Sequence, residues 1–448
     1  MLFRQAYFFI LLVTFAFALA APTLSDVPGP KKGDFGYPPE GYEKKEPGTI
    51  LKSRKVDPYS FGISKINATG YDVLYRTSAA NESEPMATLM KVLVPDNPSK
   101  DKVVIHNTVE DASAYKCSPS ASLHHSKFVN LEGPIARFEL LLVTVYLNAG
   151  WTVLVPDYEG PMAAFGVGPL SGHAVLDSAR AAKNMHELDL DDDVKFVSLG
   201  YSGGAIATGW AAQLHGSYAR DVNLVGTTFG GTPANLTELL LKVEGGPNAG
   251  IFANGAAGVI NGTPDFQRKV PKIFNSEGIK LVNWARKNCA VLAYLPFLFR
   301  KYSDFFKGGK DLQEIPEVTD VLERYRLGRK DAPAPIAPVY MFHTTFDEFV
   351  PFKGAKKAAK QWCEKGANME FQTQTFVSSH VAAYIATFAE MMKFVKDRFD
   401  GKEFHGGKCH FSSTPSPAFD IDDDIYFASI FIKAVKSLFG EALHQKKD

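Results

Sequence analysis

Gly200-Tyr201-Ser202-Gly203-Gly204 is a G-x-S-x-G pentapeptide. It lies between the apolar run Val194-Lys195-Phe196-Val197-Ser198-Leu199 and the small-residue stretch Ala205-Ile206-Ala207-Thr208-Gly209-Trp210-Ala211-Ala212-Gln213-Leu214. The first reads as a buried strand and the second as a helix, so strand, sharp turn and helix follow in that order. A serine in such a turn needs neighbours without bulk, so that its hydroxyl stands clear with backbone N–H groups beside it. Ser202 is therefore the candidate nucleophile. The pentapeptide alone is a weak signal in a chain rich in Gly and Ser, and its flanks carry the reading.

Working outward, strand patterns over 70–77 and 86–95 suggest an antiparallel pair at a sheet edge. A β/α alternation follows: strand 102–106, helix 135–148, strand 152–155, helix 174–188, the strand leading to Ser202, and strand 222–228. It resumes with strand 339–343, helix 353–365, strand 369–376 and helix 382–399, and a last amphipathic helix covers 428–443. Such units predict an α/β fold with a mainly parallel sheet covered on both faces, its catalytic groups on loops at strand carboxyl ends.

The stretch between residues 231 and 339 is far longer than a plain connection. It reads as a helical cap (lid) insertion, with a flexible small-residue stretch at 250–258 and an apolar-aromatic run at 291–299. The bounds are a leader at 1–20, a core first part at 21–232, a cap at 233–325, and a core second part with a C-terminal extension at 326–448. A satellite domain with its own core is the competing reading of the insertion. Residues 21–60, rich in Pro, Gly and Lys, read as an extended arm.

The chain has 448 residues, 45% of them hydrophobic, enough for a large core. Lys plus Arg and Asp plus Glu are both 49, a balance that favours neither nucleic acid nor an anionic surface. Residues 1–20 combine one cation, Arg4, an apolar run and Ala18-Leu19-Ala20, the form of a secretory signal peptide, too short for a transmembrane anchor. In an oxidising compartment Cys117, Cys289, Cys363 and Cys409 suggest two disulfides, with three pairings open, rather than a metal site. Asn67, Asn81, Asn235 and Asn261 head N-glycosylation sequons, the last followed by Pro264.

A serine nucleophile needs a base within reach and a carboxylate to orient it. His380 follows the last expected strand of the core, in Val377-Ser378-Ser379-His380-Val381, and is the candidate base. His343 reads as a core or capping residue at a strand end, and His124 and His125 as solvated loop residues. Asp347, in the loop after strand 339–343, is the candidate acid, with Glu348 its rival. The order Ser202, Asp347, His380 is that of α/β-hydrolases. For the oxyanion, Gly203 supplies one N–H, and Val109-Glu110-Asp111-Ala112-Ser113 points to Asp111 for the other, without an HGGG form.

From Gly48-Thr49-Ile50-Leu51-Lys52-Ser53-Arg54 to about residue 400 the chain resembles the fungal secretory lipases, the family typified by Candida antarctica lipase A. The motifs are Glu110-Asp111 with Cys117-Ser118-Pro119-Ser120, Pro156-Asp157-Tyr158-Glu159-Gly160-Pro161, Leu176-Asp177-Ser178-Ala179-Arg180-Ala181, the Gly200 pentapeptide, Gly230-Gly231-Thr232-Pro233, and Asp347 with Val350-Pro351. It departs at Ser379, where glycine is expected. The resemblance implies a secreted triacylglycerol lipase without cofactor or metal, with Ser202, Asp347 and His380 as triad and Asp111 and Gly203 as oxyanion donors. It also implies disulfides Cys117–Cys289 and Cys363–Cys409. The expected partner is a lipid ester at an oil-water interface, met by a monomer. A carboxylesterase or acyltransferase on other esters is the alternative; a non-catalytic adhesion module needs a broken triad, and all three parts are present.

Overall fold

The computed structural model of the chain describes residues 22–60, 64–122 and 134–415. The expected signal peptide, His124, His125 and the helix at 428–443 lie outside the described residues. The main sheet has ten strands: β1 (Ile50–Val56), β2 (Thr69–Ser78), β3 (Pro85–Val94), β4 (Lys102–Asn107), β5 (Thr152–Pro156), β6 (Lys195–Tyr201), β7 (Leu224–Gly230), β8 (Val339–Thr344), β9 (Met369–Gln374) and β10 (His410–Thr414). In space they run β1-β2-β3-β5-β4-β6-β7-β8-β9-β10. The pairs β1/β2, β2/β3 and β3/β5 are antiparallel, and every other pair is parallel.

Side chains alternate across the central strands. Val103, Ile105 and Phe196 face Ala174, Val175 and Ala207 of α2 (Gly168–Lys183) and α3 (Gly203–Tyr218). Val104, Val197 and Leu199 share a cluster with residues of α1 (Pro134–Asn148) and α10 (Phe388–Phe399). Burial on both faces is what makes the strands read as continuous apolar runs.

The insertion between β7 and β8 carries α4 (Leu236–Val243), α5 (Ile251–Gly262), α6 (Ser276–Ala285) and α7 (Pro316–Arg324). Its Leu239, Phe252, Val282 and Phe305 join one continuous core with Trp210, Phe229, Met341 and Trp362 of the sheet and its helices, so it is not a satellite with a separate core. One expectation fails here. The small-residue stretch at 250–258 is part of the ordered helix α5, because its small side chains let the helix pack against the loop at Phe165; a Cβ on Gly258 would lie 2.4 Å from the Phe165 carbonyl oxygen. The 291–299 run leaves Leu292, Leu295 and Phe299 exposed at its surface.

Other departures are local. Part of the expected arm forms β1, an edge strand whose Lys and Arg side chains mask its pattern. β10, short and largely exposed, was not foreseen. The expected helix over 382–399 is two, α9 (His380–Ala386) and α10, divided at Thr387, whose hydroxyl donates to the Ala383 carbonyl at 2.6 Å. Cys117 is bonded to Cys289, tying the loop after β4 to the insertion, and Cys363 of α8 (Phe352–Glu364) to Cys409 beside β10. Among the described residues no helix is long and apolar enough to cross a membrane, and no group of metal-binding side chains gathers.

Candidate active site

Ser202 stands between β6 and α3 with φ 52° and ψ −118°, a region that costs a non-glycine residue roughly 1–3 kcal/mol. The surroundings hold it there: its N–H donates to the Gly230 carbonyl at 3.1 Å, and the first turn of α3 begins on its own carbonyl. The flanking glycines are required by space. A Cβ on Gly204 would lie 2.0 Å from the Asn107 carbonyl oxygen, and one on Gly203 2.0 Å from Asp111 Oδ1.

The candidate acid and base meet across 33 residues of sequence. His380 Nδ1 lies 2.7 Å from Asp347 Oδ2, while Asp347 Oδ1 accepts the backbone N–H groups of Phe349 at 2.9 Å and Val350 at 2.6 Å. Burial alone would push the Asp347 carboxyl up, but His343 and His380 beside it hold it well below the usual carboxylate range. It is therefore an ionised, fixed acceptor. Tyr201 links this pair to the serine turn: its hydroxyl donates to the His380 carbonyl at 2.5 Å and the two rings lie 4.9 Å apart. His380 Nε2 is buried with no hydrogen-bond partner among the described residues. Ser379 has a local reason to be serine, since its hydroxyl caps α9 by accepting the Ala382 N–H at 3.1 Å.

Asp111 occupies the loop after β4 at φ 44°, beside Gly203. Burial pushes its carboxyl up to about 6, partly offset by His380. Its carbonyl accepts Asn254 Nδ2 at 2.7 Å and the Tyr294 hydroxyl at 3.3 Å, so the insertion fixes this loop. The other end of the same loop is held by Glu139 of α1, which accepts the Val109 N–H at 2.9 Å. The Gly203 N–H, in the first turn of a 16-residue helix, has no intrahelical acceptor and points out of the positive end of the helix dipole.

Several supporting residues were not visible in the sequence. Lys242 of α4 donates its ammonium to the Asp347 carbonyl. Asn254 holds the Asp111 loop, and His343 approaches Asp347. None carries a local motif; only the fold brings them together. An apolar pocket opens beside the site, lined by Phe165, Leu239, Phe252, Gly255, Phe306 and Leu322 among others. Phe165 also borders Gly203, 3.4 Å from where its Cβ would stand.

Of the four sequon asparagines, Asn67 and Asn81 are exposed and Asn235 caps α4. Asn261 is a correction: it is buried in α5, its amide donating to Met162 O at 2.9 Å and its oxygen accepting Arg286 Nε at 2.8 Å. A glycan there is incompatible with this packing.

Residues 126–407 match the family described as Secretory lipase. A secreted triacylglycerol lipase of Malassezia restricta is 39% identical over 85% of this chain and 82% of its own. One from Malassezia furfur is 36% identical over 96% of this chain and 92% of its own. In structure the chain is similar to Candida antarctica lipase A in its closed state, with TM-score 0.79 and 29% identity over 91% of this chain and 95% of that one.

Proposed function

The chain belongs to the secretory lipase family, and on that footing we propose that it is a secreted triacylglycerol lipase acting through Ser202, His380 and Asp347. The observation that carries this reading is the 2.7 Å contact of His380 Nδ1 with Asp347, which leaves Nε2 without a partner in a residue whose carbonyl is held by Tyr201, the neighbour of Ser202. His380 takes the Ser202 proton as the hydroxyl attacks the ester carbonyl, and the oxyanion is held by the N–H groups of Gly203 and Asp111. The imidazolium then protonates the departing alcohol. Water, activated by the same nitrogen, attacks the acyl-enzyme and returns the serine. No step calls on a cofactor or a metal.

Residues 233–325 act as the cap of the core formed by 21–232 and 326–448. Lys242, Asn254 and Tyr294, which brace the acid and oxyanion loops, all come from that segment. The apolar pocket takes the acyl chain, each methylene buried there being worth about 0.8 kcal/mol. Ser202 is only 3% exposed and His380 4%, so a glyceride delivered from an oil-water interface requires the cover to move. The working form is a monomer, and glycans are expected at Asn67 and Asn81. The test is kcat/KM on soluble esters from two to eighteen carbons, followed by hydrolysis of emulsified triglyceride. A rise with chain length and activity on the emulsion are expected. A peak at two to four carbons with none on the emulsion would leave a small-ester carboxylesterase.

A further inference from the structure

Asp347 has a second histidine neighbour. His343, at the end of β8 and with no exposed surface, places Nε2 3.2 Å from Asp347 Oδ2, the same oxygen that His380 Nδ1 approaches at 2.7 Å. The other carboxylate oxygen is occupied by two backbone N–H groups. An ionised carboxylate can only accept, so the His343 atom facing it must carry hydrogen. Both His343 nitrogens are buried and neither completes a hydrogen bond among the described residues, but Nε2 is the one that faces the carboxylate, at 3.2 Å, and the ring stands edge-on to Phe352, 5.8 Å between centroids. A proton on Nδ1 would be stranded there, whereas one on Nε2 meets a charge.

We propose that His343 is a positioning residue of the relay: its Nε2–H faces Asp347 Oδ2 and shares with His380 the oxygen that orients the base. This rests on the triad reading above and adds to it. The carboxylate then has a third group beside it, besides His380 and the two backbone N–H donors, that resists its turning away from the base. The other ionisable groups around the pair are Asp111 after β4, Tyr201 at the end of β6, Lys242 from α4 and Glu348 in the same loop.

The test compares His343→Leu, His343→Gln, Asp347→Asn and the native chain by kcat and KM on a soluble ester across pH, with circular dichroism to monitor folding. His343→Leu should lose about tenfold in kcat at nearly constant KM. His343→Gln, whose amide nitrogen can reach the same oxygen, should recover most of that loss. A folded His343→Leu with native kcat, or a His343→Gln no better than His343→Leu, would overturn the proposal while Asp347→Asn remains inactive. Full activity in Asp347→Asn would overturn the triad and this inference together. Should His343→Leu not fold, nitrogen NMR of the native chain with labelled histidine decides: a proton on Nε2 is required, and an Nδ1–H tautomer with Nε2 bare contradicts the proposal.

Discussion

Glu348 Oε2 accepts the backbone N–H of His380 at 2.7 Å, while its neighbour Asp347 takes the imidazole of the same residue. Two adjacent carboxylates thus hold one histidine at two different points, ring and main chain. Only the ring contact sets the tautomer and steadies the imidazolium. Asp347→Asn should therefore lower kcat by about 10³–10⁴-fold. Glu348→Gln keeps an oxygen acceptor for the N–H and should cost only about two- to fivefold, in line with a lost charge on a neutral-type hydrogen bond. Steady-state kinetics on a soluble ester ranks them; the reverse order would move the acid by one residue.

Ser202 is the residue an alkyl fluorophosphonate should modify, since on the proposed reading His380 is its general base and Gly203 and Asp111 are its oxyanion donors. Peptide mapping after complete inactivation should find the label on the Ser202 peptide and nowhere else. Ser202→Ala should retain only the residual rate left by binding and the oxyanion hole. Label on another serine, or unchanged turnover in the alanine variant, would count against the assignment.

The sequence carries what is local. The elbow, the central parallel strands and the order Ser, Asp, His follow from periodicity and turn chemistry, because each depends on neighbours within a few residues. Edge strands are harder: β1 has Lys52, Arg54 and Lys55 in its span, and β10 is mostly exposed, so neither shows an apolar face. The bracing of the site is not local at all. Lys242, Asn254 and His343 become visible only when an insertion helix lies on the Asp347 turn, another on the Asp111 loop, and β8 ends beside the acid.

Gly255 offers a direct probe of the acyl pocket. It lines the pocket on α5, and a Cβ added there meets nothing within 4 Å, so a larger side chain would project into open space without disturbing the helix backbone. Gly255→Phe should leave kcat/KM on two- to four-carbon esters within about twofold and lower it for long chains. Each methylene excluded would forfeit up to about 0.8 kcal/mol, close to fourfold. A chain-length profile unchanged from the native chain would mean that the acyl group binds elsewhere.

Three buried carboxyls near the oxyanion loop should make the fold most stable on the acid side of neutrality. Burial pushes Asp111 and Asp157 up to about 6, with Ser120 partly offsetting this at Asp157, and burial together with Asp111 and Asp157 raises Glu159 well above its ordinary value. The folded chain therefore holds protons that the unfolded chain releases near pH 4, and stability falls as pH rises from about 4 through 6. A rise of two units corresponds to roughly 2–3 kcal/mol per group. Asp347 acts in the opposite sense: its folded value is depressed, so its contribution is complete above the unfolded carboxylate range and is lost only as pH falls below it. Between pH 5 and 7 the raised acids set the slope. Asp111→Asn removes one of them, keeps the backbone N–H, and should flatten that slope by about one proton's worth. Urea unfolding midpoints from pH 4.5 to 7.5 test this in both chains. A native midpoint that climbs between pH 5 and 7, or an Asp111→Asn slope equal to the native one, would show that these carboxyls are ionised in the folded chain at no cost.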